Sequence, residues 1–514
     1  MLNKLKHLFS LTNKKHDFPY ESNTKSQNYS IKETIDSSMS KNVHKIKEIF
    51  GNSQDFKFRE ISNSSNKITL LYINGLVHET SLNEFIAEYL SIKTNIESSI
   101  EALFSQQYLA STSIERSNNY EELVKFILNG LVVVLVEGYK IAYALNFIES
   151  NTRNIADSDL EKNLRGPRDA FIEDINTNIA LIRKRIKSTT LQVDNLIVGS
   201  RTNTNTAILY IRDIANPKIV NEAKERLSQI DYDEIQDGTF LAHLVSDNPI
   251  TVFPLMYPTE KPDRAASSLL QGKLILLSDN SPTAITLPTV FIDFLHVQDD
   301  FYERFYSAIA SRIIRYIGAF LAVFSTPMYI ALTSVNVDML PTKLAIPFSQ
   351  VRYVVPFPLI IEALIMEITL EILREAGLRI PSPIGPAISI VGGLVVGQTA
   401  VNAGLISPFL TIIVALSAIG SFTVTSVDLV ISLRIIKFLF IVSAGIFGLY
   451  GLGASVTLLV IHCCSLTSFG VPYFAPFSEE GIKNSLKSLF RQPFILDFKR
   501  HSYYRTKNEK KVRK

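Results

Sequence analysis

Five apolar runs between residues 316 and 478 constrain this chain more than anything else in it. They occupy 316–335, 354–373, 386–401, 405–425 and 438–461, each 16 to 24 residues long, against the ~20 that a helix needs to span hydrocarbon. A helix of a soluble domain keeps one polar face for water, and these runs have too little polarity for that. Residues 1 to about 300 mix charged, polar and apolar positions instead. The fold class that follows is an α/β N-terminal domain of two lobes, then an all-α polytopic membrane domain. At 514 residues the chain also exceeds the size at which a single core keeps growing.

The net charge is only +3, which gives no argument for nucleic-acid binding. Its distribution says more. From residue 483 onward eleven Lys and Arg stand against Asp497 and Glu509, and Arg304, Arg312 and Arg315 precede the first apolar run. Positive charge collects on the cytoplasmic side of membrane proteins, so the N-terminal domain and the tail are both expected there. Residues 1–9 lack the continuous apolar core of a secretory signal, in keeping with that orientation. Two ends on one side require an even number of crossings, yet the runs number five. Either the glutamate-bearing run 354–373 is re-entrant, or 463–477 crosses as a short sixth element. The chain has no tryptophan, so Tyr302, Tyr306, Tyr353 and Tyr473 are expected to serve as interface anchors. Cys463 and Cys464 are adjacent within an apolar run and read as packing residues rather than a disulfide or a zinc site.

Composition divides the chain into a mobile lead-in at 1–45, a first lobe at 46–155, a second at 156–305, the membrane domain at 306–478 and a basic tail at 479–514. In the first lobe 67–77 reads as a strand turning at Asn74-Gly75, 81–90 and 121–128 as helices, and 131–136 and 140–147 as strands. In the second, 169–187 has acids first and bases last, matching the dipole of one helix. A hairpin at 191–198 and 207–211, a helix at 221–230 and a strand pair at 273–277 and 284–287 follow.

The charged segment ahead of residue 385 is the candidate site. A 100° helical step puts Glu367, Glu371, Arg374 and Glu375 within about a third of the circumference, with Glu362 nearly opposite. An ionised side chain costs ~2.5–3.5 kcal/mol at the centre of a span, so this stripe must meet water, protein or headgroups rather than lipid. It is a candidate ion pathway or inter-subunit face. The competing expectation is an interfacial helix with local pairs Glu371–Arg374 and Glu375–Arg379. Gln398 and Asn402, four residues apart inside an uncharged hairpin, join the pathway candidates because they need hydrogen-bond partners. Gly392, Gly393 and Gly397 have the small-residue spacing of close helix packing, repeated at Ala444/Gly448 and Gly451/Ser455. The eight histidines are scattered, and no catalytic set, metal motif or cofactor loop stands out. The chain does not read as an enzyme.

The run from Pro356 through Ile360, Glu362, Glu367, Glu371, Arg374 and Arg379 to Pro381 resembles the signature of the A subunits of GerA-type spore germination proteins. Upstream blocks fit in order: Tyr72-Ile-Asn-Gly-Leu76, Arg165-Gly-Pro-Arg168, 178–185, Val198-Gly-Ser-Arg-Thr202, Phe253-Pro254 and Thr259-Glu-Lys-Pro-Asp263. Downstream, Ile390-Val-Gly-Gly393, Gly397 and Phe469-Gly-Val-Pro-Tyr473 fit as well, so the likeness spans about 45 to 478. Lys261 stands where the family usually has Arg, and Asp169-Ala170 where an acidic residue and Gly are usual.

The resemblance implies a subunit of a nutrient germinant receptor in the spore inner membrane, partnered by a transporter-like B subunit and a lipoprotein C subunit. It also implies a homo-oligomer around an ion pathway, with 356–373 nearest to it. Alternatives are a paralogue associated with the dipicolinate channel, a secondary transporter, and a scaffold for the other subunits. The repeated halves and broken paired helices of common transporters are not evident in the membrane region.

Overall fold

The computed structural model describes residues 33–62, 67–91, 114–148, 161, 165–353, 355–379, 384–478, 488–493 and 497–511. The expectation for 1–32 lies outside them. The first helix, α1 (Met39–Phe50), begins within the segment expected as a lead-in.

Lobe one continues with β1 (Phe56–Ser62), β2 (Lys67–Ile73), α2 (Glu79–Ser91), β3 (Ile114–Ser117), α3 (Tyr120–Leu128), β4 (Val132–Val136) and β5 (Ala142–Leu145). Its sheet runs β1-β2-β4-β5-β3, every pairing antiparallel. All five residues of β4 are buried, because helices cover both faces. Val133 and Leu135 meet α1 and α3, whereas Val132, Val134 and Val136 meet Leu82 and Ile86 of α2. Burying such side chains contributes ~1.5–3 kcal/mol each.

Lobe two holds α4 (Ile175–Arg185), β6 (Leu191–Val198), β7 (Thr204–Ile211), α5 (Pro217–Ser228), α6 (Gly238–Val245), β8 (Tyr257–Thr259), α7 (Pro262–Leu270), β9 (Leu274–Ser278) and β10 (Ala284–Leu287). Its order is β6-β7-β9-β10-β8, so both lobes repeat one topology in which the third strand crosses to the far edge beside the fifth. Helix α4 is shorter than the charge order of 169–187 suggests. Asp174 caps it by accepting from Thr177 N, and Asn178 bonds the backbone of Ile172 at N and O, holding 169–174 outside the helix.

The membrane domain comprises α8 (Phe305–Ile330, extended by a π turn at Ala331–Val335), α9 (Thr342–Arg352), α10 (Leu359–Arg379), α11 (Ile384–Asn402), α12 (Pro408–Phe422) and α13 (Val427–Ser465). Phe305–Val335 and Val427–Ser465 are each long and apolar enough to cross a membrane. A straight helix of 39 residues would measure ~58 Å, but α13 is not straight. Gly448 has φ +61, and a Cβ there would lie 2.2 Å from Asn336 Oδ1, so a left-handed backbone without a side chain turns the helix back on itself. Both feet of the resulting hairpin reach one loop of lobe two: Ser432 Oγ donates to Val252 O at 2.5 Å, and His462 Nε2 lies 3.0 Å from Thr251 Oγ1. Its tip meets the far end of α8, where Leu449 N donates to Asn336 Oδ1 at 2.9 Å.

This corrects the expected span at 438–461, which belongs to two antiparallel limbs. Helices α8, α10, α11 and α12 with the two limbs give the bundle an even number of long helical segments, and α9 packs Phe348 against Tyr329 and Phe409 near the far end. Residues 463–477 are no crossing: Thr467–Ser468 pairs with Val471–Pro472, Ser468 Oγ donates to Leu255 O, and Phe291 N to Tyr473 O. Tyr473 is fully buried against Phe253, Phe291 and Phe294 rather than lying at an interface.

The tail returns to lobe two as a strap. Arg491 donates to the carbonyls of Phe301 and Glu303, Arg500 to that of Leu270, Lys507 N to Ile214 O, and Tyr504 to the Asp293 carboxylate. The lobes and the strap therefore lie at the same end of the bundle.

Candidate functional site

Helix α10 is packed among α8, α12 and the first limb of α13, and its acidic residues differ in environment along its length. Glu362, expected opposite the stripe, is 1% exposed. It accepts a hydrogen bond from Ser407 N, where Ser407 Oγ caps α12 by accepting from Leu410 N. A carboxylate at that position meets the positive end of the α12 dipole.

Glu367, 4% exposed, sits at the centre of a cluster from four helices. Lys437 Nζ donates to its Oε2 at 2.6 Å and Thr326 Oγ1 to its Oε1 at 2.9 Å. Lys437 also lies 3.3 Å from Ser417 Oγ, which donates to Ala322 O at 2.9 Å. Each charge is thus paired and hydrogen-bonded, the condition under which burial is tolerated. Close packing surrounds the cluster: a Cβ on Gly420 would lie 2.5 Å from Gly318 O, so α8 and α12 touch backbone to backbone.

One turn further along α10, Glu371 accepts from Arg374 at 3.0 Å and from Arg434 at 2.8 Å, and Arg374 reaches Ser421 Oγ at 3.5 Å. The Glu371 side chain is 40% exposed and Glu375 is exposed. Both line an open depression with Ile368, Ile372, Ala376 and Phe438. The expected local pair Glu371–Arg374 is present and shared with Arg434. Arg379 has no described side chain.

The structure brings Glu362, Glu367, Glu371, Arg374 and Glu375 onto one helix with graded burial. It does not bring in Gln398 and Asn402, both exposed on α11. Gly392 and Gly393 face Leu373 and Leu370, and Gly397 faces Thr411; a Cβ added at any of the three would meet only side chains, at 3.2–3.7 Å. The tighter approach is at Gly318 and Gly420. Lys437 and Arg434, the partners of the glutamates, were not among the sequence candidates. Their signal was two cations three residues apart in the apolar stretch 427–447. Among the described residues no group of three or more His, Cys, Asp or Glu could hold a metal ion. Cys463 is buried and Cys464 exposed, both free thiols.

Fold and site together define a membrane protein in which a duplicated α/β domain is joined to a helical bundle with internal ion pairs. The chain belongs to the GerA family: the family described as Bacillus/Clostridium GerA spore germination protein matches residues 44–503. Spore germination protein KA of Bacillus subtilis is 37% identical over 476 residues, 91% of this chain and 86% of that protein. Spore germination protein A1 of the same organism is 37% identical over 425 residues, 82% of this chain and 87% of that protein. The crystal structure of the N-terminal domain of the A subunit of the Bacillus megaterium spore germinant receptor GerK3 is 27% identical. It covers 50% of this chain and 98% of its own, with a TM-score of 0.40.

Proposed function

We propose that this chain is the A-type membrane subunit of a nutrient germinant receptor in the spore inner membrane. Copies of it assemble, with a transporter-like B subunit and a lipoprotein C subunit, around an ion pathway that opens when nutrient binds and so triggers germination. Family membership supports the germination role. The observation that carries the pathway is the outer face of α10. There Glu371 and Glu375 interrupt a surface otherwise made of exposed Ile361, Ile365, Ile368 and Ile372. Lipid cannot cover carboxylates at low cost, so another subunit or a water-filled passage covers that face. The lobes and the basic strap lie together on the cytoplasmic side, in accord with the positive-inside bias.

Glu371 is the residue to change. Replacing buried Glu367 alone would strand Lys437 and confuse folding with function, whereas Glu371→Gln keeps the shape of a half-exposed group. Spores carrying it should release cations with altered kinetics while subunit levels in the membrane stay normal. Unchanged release at normal levels would leave only the scaffold reading. Spores lacking the gene, challenged separately with amino acids, sugars and salts, should lose the response to one nutrient class. An intact response to all would move the assignment to the channel-associated paralogue.

A further inference from the structure

A second concentration of charge lies away from α10, where lobe two, the start of α8 and the C-terminal strap meet around a cavity of about 480 Å³. That volume falls within the range of small-molecule sites. Seven Lys and Arg side chains line it against three carboxylates, Asp293, Asp497 and Glu509. Two of the three are already engaged. Asp293 accepts from Lys273 Nζ at 2.7 Å and from Tyr504 OH at 2.8 Å, and Asp497 from Lys511 Nζ at 2.6 Å.

Four of the seven cations also have carboxylate partners, Lys273 in Asp293, Lys511 in Asp497, Arg312 in Asp300 and Arg264 in Glu161, and Arg500 is held otherwise. Arg500 donates to backbone carbonyls of Leu270 at 2.7 Å, Asn508 at 3.0 Å and Lys510 at 2.5 Å, which orient the guanidinium without neutralising it. Lys499 lies exposed at the rim. Two histidines in the wall report the same field. Burial, and then Arg312 and Arg315, hold His296 well below the usual range; burial, and then Lys511, bring His501 down to about 4. Ser267, Ser268, Gln271 and Ser502 add neutral hydrogen-bonding groups to the lining.

An excess of fixed positive charge in a sheltered concavity selects anions, and arginine forks favour those with several oxygens over single-point acceptors. We propose that this cavity binds a small phosphate-bearing anion, with Lys499 and Arg500 of the strap as its principal cations. Occupation would tie the strap to lobe two through a shared ligand. Because α8 contributes Arg312 to the wall, the phosphate belongs either to a soluble ester or to a phospholipid headgroup.

The test uses the full-length protein in neutral detergent, titrated with inorganic phosphate against chloride at matched ionic strength, and the same protein in nanodiscs of phosphatidylcholine with or without phosphatidylglycerol. Saturable thermal stabilisation by phosphate, weakened about tenfold in Arg500→Gln, assigns a soluble source. Retention of phosphatidylglycerol through purification by the wild type but not by Arg500→Gln assigns the lipid. Lys499→Gln, at an exposed position, gives the same reading if Arg500→Gln does not fold. A wild type that answers phosphate as it answers chloride and retains no anionic lipid overturns the proposal, as do folded variants that bind like the wild type.

Discussion

Arg183 and Lys437 are both buried cations, one between the two lobes and the other inside the helical bundle, and they are held differently. Arg183 is 1% exposed. Its guanidinium bonds Asp55 at 2.6 and 2.9 Å, Ser53 Oγ at 2.9 Å, and the carbonyls of Ser188 and Leu191 at 3.0 and 2.9 Å, so a planar fork is fixed from several directions. Lys437 meets one carboxylate, on Glu367, and one hydroxyl, on Ser417. The ammonium is a point charge on a flexible stem. The inter-lobe joint is therefore fixed by five hydrogen bonds from one side chain, whereas the bundle contact rests on one ion pair and one hydroxyl. A change of state in the bundle has fewer contacts to break there than one at the joint.

The largest effect is expected at the fixed joint. Arg183→Met leaves Asp55 buried and unpaired, a loss of about 3–5 kcal/mol, visible as a collapse of the unfolding transition of the N-terminal domain or of protein levels in the membrane. A variant that melts as the wild type does would break the comparison at its rigid end. Lys437→Met comes next, with a loss of about 3 kcal/mol because Glu367 is stranded. Adding Glu367→Gln should restore most of it, since a neutral pair of similar volume replaces an ionic one. Heat stability in detergent across this double-mutant cycle measures the coupling; a double variant no better than the single would show that the two residues do not act as a pair.

The smallest effect is expected at the strap. Burial lowers the His501 pKa from 6.5 to about 4, so the undocked strap takes up a proton more readily than the docked one. Docking is thus fully stable above pH 6.5 and weakens as pH falls toward 4. Between about pH 7 and 5 the loss is about 2 kcal/mol, because at the lower pH the docked ring is still mostly neutral. Hydrogen exchange over 497–511, compared at about pH 7 and 5, should show the weakening, and His501→Gln should flatten it.

Local chemistry made much of the architecture legible. The turn at Asn74-Gly75, the hairpin of β6 and β7 and the apolar runs each announce themselves within a short stretch of sequence. Strand β1 does not, because FKFREIS alternates poorly and lies at a sheet edge with charged residues exposed. The crossing of β3 and β8 to the far edge is non-local and leaves no periodic trace. The bend at Gly448 was hidden because Ala444, Gly448, Gly451 and Ser455 have the same spacing as a helix-packing stripe; only the backbone torsion separates the two uses. For the site, helical geometry placed Glu367, Glu371 and Arg374 on one face, but the identity of Lys437 and Arg434 as partners depends on which helices become neighbours.

The strap has a consequence for synthesis. Lobe two is complete in sequence by residue 305, yet Tyr504, Arg500 and Lys507 reach its surface some two hundred residues later, after every helix of the bundle. In a membrane, the surface around Asp293 and Lys273 can be closed only if the bundle crosses an even number of times. An odd count would leave the strap on the opposite side and that surface open. The finished lobe is in this sense a record that both ends of the bundle face the same side.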